Sequence, residues 1–363
     1  MTVRIHRLFR FWAFALVSSL LLVTPAARPC TTFYLYTEDE AALGKSYDWT
    51  VVEGLVIANP RGLAKEALVG DDNPARWAST YGSVTLNQYG RELPMGGINE
   101  AGLVVEVMWL DDAEYPPPDE RPALDCLQWV QYMLDTCATV EEVVAAQNNV
   151  RIYADNPARL HYLVADAAGN CAVVEYLAGG AVIHTGDALL VPVLANDTYD
   201  DDITFWLEHE DASPKAEELA GLASEKRFAR AAAWLASYDD DLMDSATAPD
   251  YAAAVLDDVA SPDFSQWRIV YDVKNGRVYW RTRENTKTRW LELAAFDFSP
   301  ATPAKIFDMN AAGGDVTDKF VDYTYEANRA LIDASFAKTE FLKDVPEEVR
   351  EELARYPETL APA

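Results

Sequence analysis

Cys30-Thr-Thr-Phe-Tyr-Leu-Tyr-Thr37, followed past the acidic turn at Glu38 to Glu40 by Ala42-Leu-Gly-Lys-Ser-Tyr-Asp-Trp49, is the stretch that decides the fold. Both halves are dense in β-branched and aromatic residues, so together they predict a β-hairpin with Cys30 at its open end. Further strands are expected at Leu55–Asn59, Trp77–Leu86 and Gly102–Leu110, with Asn99-Glu-Ala-Gly102 as a turn before the last of them. Beyond Tyr115-Pro-Pro-Pro118 the period changes. Leu124, Leu127, Val130 and Leu134 recur at helical spacing, and a short helix over Val140–Gln147 follows.

Strands return at His161–Ala165, Cys171–Leu177, Ala181–His184 and Leu189–Leu194. Two amphipathic helices are predicted over Pro214–Tyr238 and Pro249–Ala260, the first carrying Lys226, Arg227 and Arg230. Lys274-Asn-Gly276 is a hairpin signal between Trp267–Tyr271 and Arg277–Arg281, and Trp290–Phe296 adds a strand. Strands in two batches, interleaved with helices, predict an α/β sandwich: two sheets packed together and covered by helices on both outer faces. No linker divides the chain, so one domain over 30–340 is expected, with 341–363 as a polar tail that forms a surface helix or frayed end.

Upstream of the hairpin the sequence has another character. Arg4, His6, Arg7 and Arg10 precede an apolar run from Phe11 to Val23 and then Thr24-Pro-Ala-Ala-Arg-Pro29. This reads as a signal peptide over 1–29, cleaved after Ala26 or Ala27 and trimmed to expose Cys30. The run falls short of the roughly 20 residues a membrane helix needs, so a periplasmic or extracellular protein without stable membrane insertion is expected. The formal net charge of −29 repels phosphate backbones and counts against nucleic acid as a partner. The acidic run Asp239–Asp241 with Asp244 lacks the glycine and closing glutamate of an EF-hand and reads as a solvated loop.

Export permits disulfides, but the four cysteines do not form a framework. Cys126 and Cys137 share one helical stretch, which puts them roughly 16 Å apart, beyond disulfide reach. A pairing of either with Cys171 stays open. His161, His184 and His209 show no metal-ligand spacing and read as structural or surface residues.

A cysteine at a free N-terminus combines nucleophile and base in one residue. The reference pKa is about 7.7–8.0 for an α-amine and about 8.5 for a thiol, so the amine can take the thiol proton without a histidine. Cys30-Thr-Thr-Phe, Leu43-Gly-Lys-Ser-Tyr-Asp-Trp49, Gly97-Ile-Asn-Glu-Ala-Gly-Leu103, Leu194-Ala-Asn-Asp197 and Ser224-Glu-Lys-Arg-Phe228 occur in that order. This set resembles the choloylglycine hydrolase family, N-terminal nucleophile hydrolases that include penicillin V acylases and conjugated bile-acid hydrolases. The resemblance runs from Cys30 to about Phe298.

It implies an α+β fold, a four-layer αββα sandwich with two antiparallel sheets between helical layers, and an amidase that works without metal or cofactor. Cys30 is then the nucleophile that forms a thioester, Asp48 the holder of the α-amine, Asn196 the oxyanion donor and Arg227 the cation that favours thiolate. Two positions depart from the family pattern. Lys45 stands where the family usually has Arg, which keeps the charge but loses the planar fork. Trp109 stands where Asn or Tyr is common beside the oxyanion site, and its indole is expected to reshape the acyl pocket while its main-chain N–H remains.

The implied substrate is a small N-acyl amide: penicillin V-like, an acyl-homoserine lactone, a bile conjugate or a fatty-acyl amino acid. The Trp109 indole fits the Gram-negative acylase branch. Relatives form tetramers, so a homo-oligomer is compatible with the resemblance. Three alternatives remain open from the residues: Cys30 as a disulfide partner, Cys30 as the lipidated residue of a binding lipoprotein, and an acyltransferase that delivers the thioester to an amine.

Overall fold

The hairpin forms as read. In the computed structural model, which describes residues 30–70, 73–238 and 247–363, β1 (Thr31–Tyr36) pairs antiparallel with β2 (Ala41–Asp48). Phe33 lies opposite Gly44, where an added Cβ would stand 2.3 Å from the Phe33 ring, so only glycine lets the strands close over that side chain. Every residue of β2 is buried, as expected of a central strand covered on both faces.

On one side β1 pairs with the short strand Val193–Leu194. On the other, β2 leads through Ser265–Asp272, Arg277–Thr282 and Arg289–Glu292 to Gly314–Asp315, completing a seven-stranded sheet. A second sheet of nine strands is antiparallel throughout, and its centre is Leu160–Ala165, Val104–Trp109 and Pro94–Asn99. The inner faces meet in one core that includes Phe33, Val107, Leu163 and Tyr271.

Helix α1 (Cys126–Thr136), capped by the Asp125 carboxylate, covers the nine-stranded sheet, and α2 (Val140–Ala146) follows it. Helix α3 (Tyr199–Leu207) stacks on α4 (Ser224–Ala236), and α4 and α5 (Ala248–Val259) cover the seven-stranded sheet. This is the four-layer αββα sandwich. Among the described residues no helix is long and apolar enough to cross a membrane.

Several elements differ from the sequence reading. The single helix expected over Pro214–Tyr238 forms only from Ser224 onward: Ala216, Ala220 and Ala223 are extended, Gly221 lies at φ 122°, and a lone 3₁₀ turn at Glu217–Leu219 precedes α4. The strand expected over Trp77–Leu86 divides into Arg76–Ala78 and Ser83–Asn87, and Leu189–Leu194 shrinks to Val193–Leu194. Asp200-Asp-Asp202 is the first turn of α3, where acidic side chains face the positive end of the helix dipole. The four cysteines are all free and buried, which closes the possibility of a Cys171 disulfide.

Helix α6 (Tyr325–Lys338) is followed by α7 (Glu347–Arg355), and Ala361–Pro362 pairs with the strand Leu63–Glu66. The signal-peptide reading of 1–29 and the acidic run at Asp239–Asp241 with Asp244 lie outside the described residues.

Candidate active site

Cys30 sits at the edge of β1, 3 % exposed, with its sulfur between the main-chain groups of Asp48: Asp48 N donates to Sγ at 3.4 Å and Sγ reaches Asp48 O at 3.7 Å. The hairpin itself makes this contact, since antiparallel pairing brings the end of β2 back to the start of β1. A bulge at Gln266 sets Ser265 opposite Asp48. Asp48 Oδ1 accepts from Ser46 Oγ at 2.8 Å, whereas Oδ2 is buried without a hydrogen-bond partner. Burial pushes the Asp48 carboxyl up to about 6, against the Ser265 and Ser46 hydroxyls and the cations Arg227 and Lys45.

Helix α4 presents Ser224, Arg227, Phe228 and Ala231 on one buried face, at the three- and four-residue spacing of a helical stripe. Arg227 is a fork between two chain segments. Its Nη1 donates to the Cys30 carbonyl and to Thr31 Oγ1 (2.7 Å), its Nη2 to Asn196 Oδ1 (2.8 Å), and its Nε to Leu222 O (3.0 Å). A guanidinium only donates, so Oδ1 of Asn196 must face it and Nδ2 must point the other way. There one Nδ2 hydrogen reaches Trp109 O at 2.8 Å and the second remains for a ligand. Ser224 Oγ accepts from the main-chain N–H of both Asn196 (2.7 Å) and Asp197 (2.8 Å) and donates to Asp202 at 3.2 Å.

Burial pushes the Cys30 pKa up, while Lys45 and, more weakly, Arg227 pull it down. The hydrogen bonds of Arg227 go to the Cys30 carbonyl and to Asn196, so its pull on sulfur is electrostatic. Lys45, fully buried, is the cation with the larger effect on sulfur. Its ammonium donates to Val107 O at 2.6 Å, tying the two sheets together below the site.

Glu106, fully buried and not singled out from the sequence, shares this layer. A Cβ at Gly96 would stand 2.3 Å from its Oε1, so glycine there makes room for the carboxyl, which accepts from Tyr271 Oη at 2.5 Å. Burial pushes Glu106 up to about 7, with Lys45 and Tyr271 opposing. The folded state thus holds a proton that the unfolded chain releases at about 4.3, so this contribution to stability is complete below that pH and is lost as the pH rises through 7. Glu106→Gln, neutral throughout, should gain stability relative to the parent as the pH rises from about 4.5 to about 8. Denaturant melts across that window check this, and a pH-independent difference would refute it.

Trp109 is half-buried, with its indole N–H on Asp111 Oδ1 (2.6 Å) and its ring against Trp49 (5.9 Å between centroids) and Phe341 (6.0 Å). Those rings wall a cavity of about 170 Å³, otherwise lined mainly by apolar side chains such as Tyr47, Leu93, Met95, Val107 and Met108. Tyr47 and Trp49 flank Asp48 in the chain, so the cavity borders the end of β2 whose main chain meets the sulfur, although Cys30 itself does not line it. Phe336, Phe341, Leu342 and Leu353 complete its wall from the C-terminal segment. The last three fall in the stretch read from sequence as a polar tail, where isolated apolar residues among charges give no signal of their position.

All six residues singled out from the sequence, Cys30, Lys45, Asp48, Trp109, Asn196 and Arg227, fall within this one cluster. Ser224 belongs to one of the sequence motifs, but its role as the clamp on the Asn196 and Asp197 amides emerges only here. The family model described as linear amide C-N hydrolases, choloylglycine hydrolase family, matches residues 30–234. A penicillin V acylase of Pectobacterium atrosepticum is 25% identical over 327 residues, covering 78% of this chain and 85% of that protein. The solved penicillin V acylase of Agrobacterium tumefaciens superposes with TM-score 0.68 at 27% identity, over 81% of this chain and 98% of the other. A variant of the conjugated bile acid hydrolase of Clostridium perfringens superposes with TM-score 0.67 at 17% identity, over 78% and 98%, a likeness of fold.

Proposed function

The chain belongs to the choloylglycine hydrolase family of linear amide C-N hydrolases, and from that membership we propose that Cys30, freed of residues 1–29 on export, hydrolyses a small N-acyl amide through a thioester. The observation that carries this reading is the convergence on Cys30 of Asp48 from β2, Asn196 from the loop before α3 and Arg227 from α4. The family match beginning at Cys30 supports the processing step. Export to the periplasm or exterior is the compartment this implies.

Sγ, held as a thiol by burial, passes its proton to the residue's own α-amine as sulfur attacks the amide carbon. The buried Asp48 Oδ2 is an acceptor suited to the resulting ammonium. The carbonyl oxygen becomes an oxyanion that takes the second Asn196 Nδ2 hydrogen, whose direction Arg227 fixes. The ammonium then protonates the leaving nitrogen, the C–N bond breaks and the thioester remains. Water adds to the thioester with the amine again as base, releasing the acid and restoring the thiol.

The apolar cavity suits an acyl group that is aromatic or aliphatic and uncharged, as in penicillin V-like amides. Asn196→Ala should lower kcat by about 10²–10³-fold with little change in KM, the loss of one oxyanion donor. Steady-state kinetics on a panel of N-acyl substrates test this, and a change confined to KM would remove Asn196 from the oxyanion site.

A further inference from the structure

Behind the loop that carries Asn196 lies a polar group that the reaction above does not use. His161, on the strand Leu160–Ala165, is fully buried. Its Nδ1 is 3.0 Å from Glu175 Oε1 and its Nε2 is 3.0 Å from Ala195 O. A carbonyl only accepts, so Nε2 carries a hydrogen and donates it to Ala195 O, while Nδ1 is braced against Glu175. Glu175 Oε1 also accepts the Tyr199 N–H at 3.1 Å, which fixes the carboxyl that braces the ring. Burial opposes the charge of Glu175, yet hydrogen bonds from the His161 and His184 rings hold its carboxyl down at about 2.

The surrounding side chains hold Glu175 in place. His184, on Gly180–Thr185, sets Nε2 3.6 Å from Glu175 Oε2 and 4.0 Å from Asp200 Oδ1, and Tyr199 of α3 spends its hydroxyl on Val191. Ala195 O is the carbonyl of the peptide bond that precedes Asn196. The Asn196 main chain is thus held from both ends of one peptide unit, by His161 at the carbonyl and by Ser224 at the N–H. The side chain is held at Oδ1 by Arg227.

We propose that His161, donating from Nε2 to Ala195 O and braced at Nδ1 by Glu175, is a positioning residue that fixes the Ala195–Asn196 peptide so that Asn196 Nδ2 points at the developing oxyanion. The inference rests on the reading of Asn196 as the oxyanion donor. Losing the bond to Ala195 O lets the peptide turn, and displacing an oxyanion donor by a fraction of an ångström weakens transition-state stabilisation more than ground-state binding.

The test uses the processed enzyme with His161→Gln, Glu175→Gln, Asn196→Ala and the His161→Gln/Asn196→Ala pair. The expected result is a fall in kcat of about tenfold or more in the His161→Gln and Glu175→Gln single variants at nearly constant KM. In the Asn196→Ala background His161→Gln should cost less than about twofold, because its effect runs through the missing side chain. Proton–nitrogen spectra of histidine-labelled parent enzyme should show a proton on His161 Nε2. Should His161→Gln fold poorly, Glu175→Gln keeps side-chain volume and removes only the carboxylate that braces the ring. An unprotonated Nε2 on His161, equal losses in both backgrounds, or undiminished kcat in the folded variants would each overturn the inference. Undiminished kcat in Asn196→Ala alone would overturn the oxyanion reading as well, whereas an unprotonated Nε2 on His161 would leave that reading standing.

Discussion

Cys30→Ser is expected to lose turnover by about 10⁴-fold or more while the protein melts within a few degrees of the parent. The substitution is close to isosteric, and sulfur meets main-chain groups of Asp48, which a hydroxyl can also meet. What changes is acidity. An α-amine of pKa about 8 can take a proton from a thiol but hardly from an alcohol, and burial at this position makes the anion costlier still. Hydrolysis rates on the best substrate of the panel, with a thermal melt on the same sample, check both halves. Retained turnover in the serine variant would mean that another group attacks the amide.

The second large effect concerns nitrogen rather than sulfur. A protein that begins at Pro29 carries Cys30 N as an amide, which is not a base near neutral pH, yet its thiol and its contacts to Asp48 are those of the mature chain. Its turnover is expected to be at most about one hundredth of that of a protein beginning at Cys30, the usual share of general base catalysis being about 10²–10⁴-fold. No side chain described at the site stands ready to replace the amine. His161 has both nitrogens engaged with Glu175 and Ala195, and the Asp48 carboxyl is a weaker base than the amine. Removal of Pro29 by an aminopeptidase should restore the rate, and N-terminal sequencing during the restoration should show the two in step.

The sequence was most legible where local chemistry and fold agree. The hairpin at Cys30 is dense in strand-forming residues and punctuated by an acidic turn, so β1 and β2 could be placed closely. The Asp48 contact follows from that pairing. Asn196 and Arg227 came from the family resemblance, not from periodicity, because nothing local says that a loop before α3 and a helix face would meet at Cys30. Glu106 and His161 were hidden for a related reason. Each reads in its strand as an isolated polar residue, and its importance lies in acceptors and cations supplied by other strands and loops. The stretch before α4 shows the limit of pattern: the apolar period runs on through Pro214–Tyr238, yet extended residues at Ala216, Ala220 and Ala223 keep the helix from starting before Ser224.

Lys45 also needed the structure. As a replacement for the family's usual arginine it reads as a loss of bidentate geometry, but here its Nζ donates to a single carbonyl and bears electrostatically on Cys30, Asp48 and Glu106. A point charge serves that arrangement. The guanidinium fork is supplied instead by Arg227, from α4.

That one terminal residue supplies both the attacking sulfur and the base is tested most directly by mass spectrometry of enzyme quenched during turnover. The acyl mass should appear on the peptide whose first residue is Cys30, and this peptide should be the N-terminus of every active molecule. An acyl group on any other residue, or full activity in molecules that still carry Pro29, would contradict it.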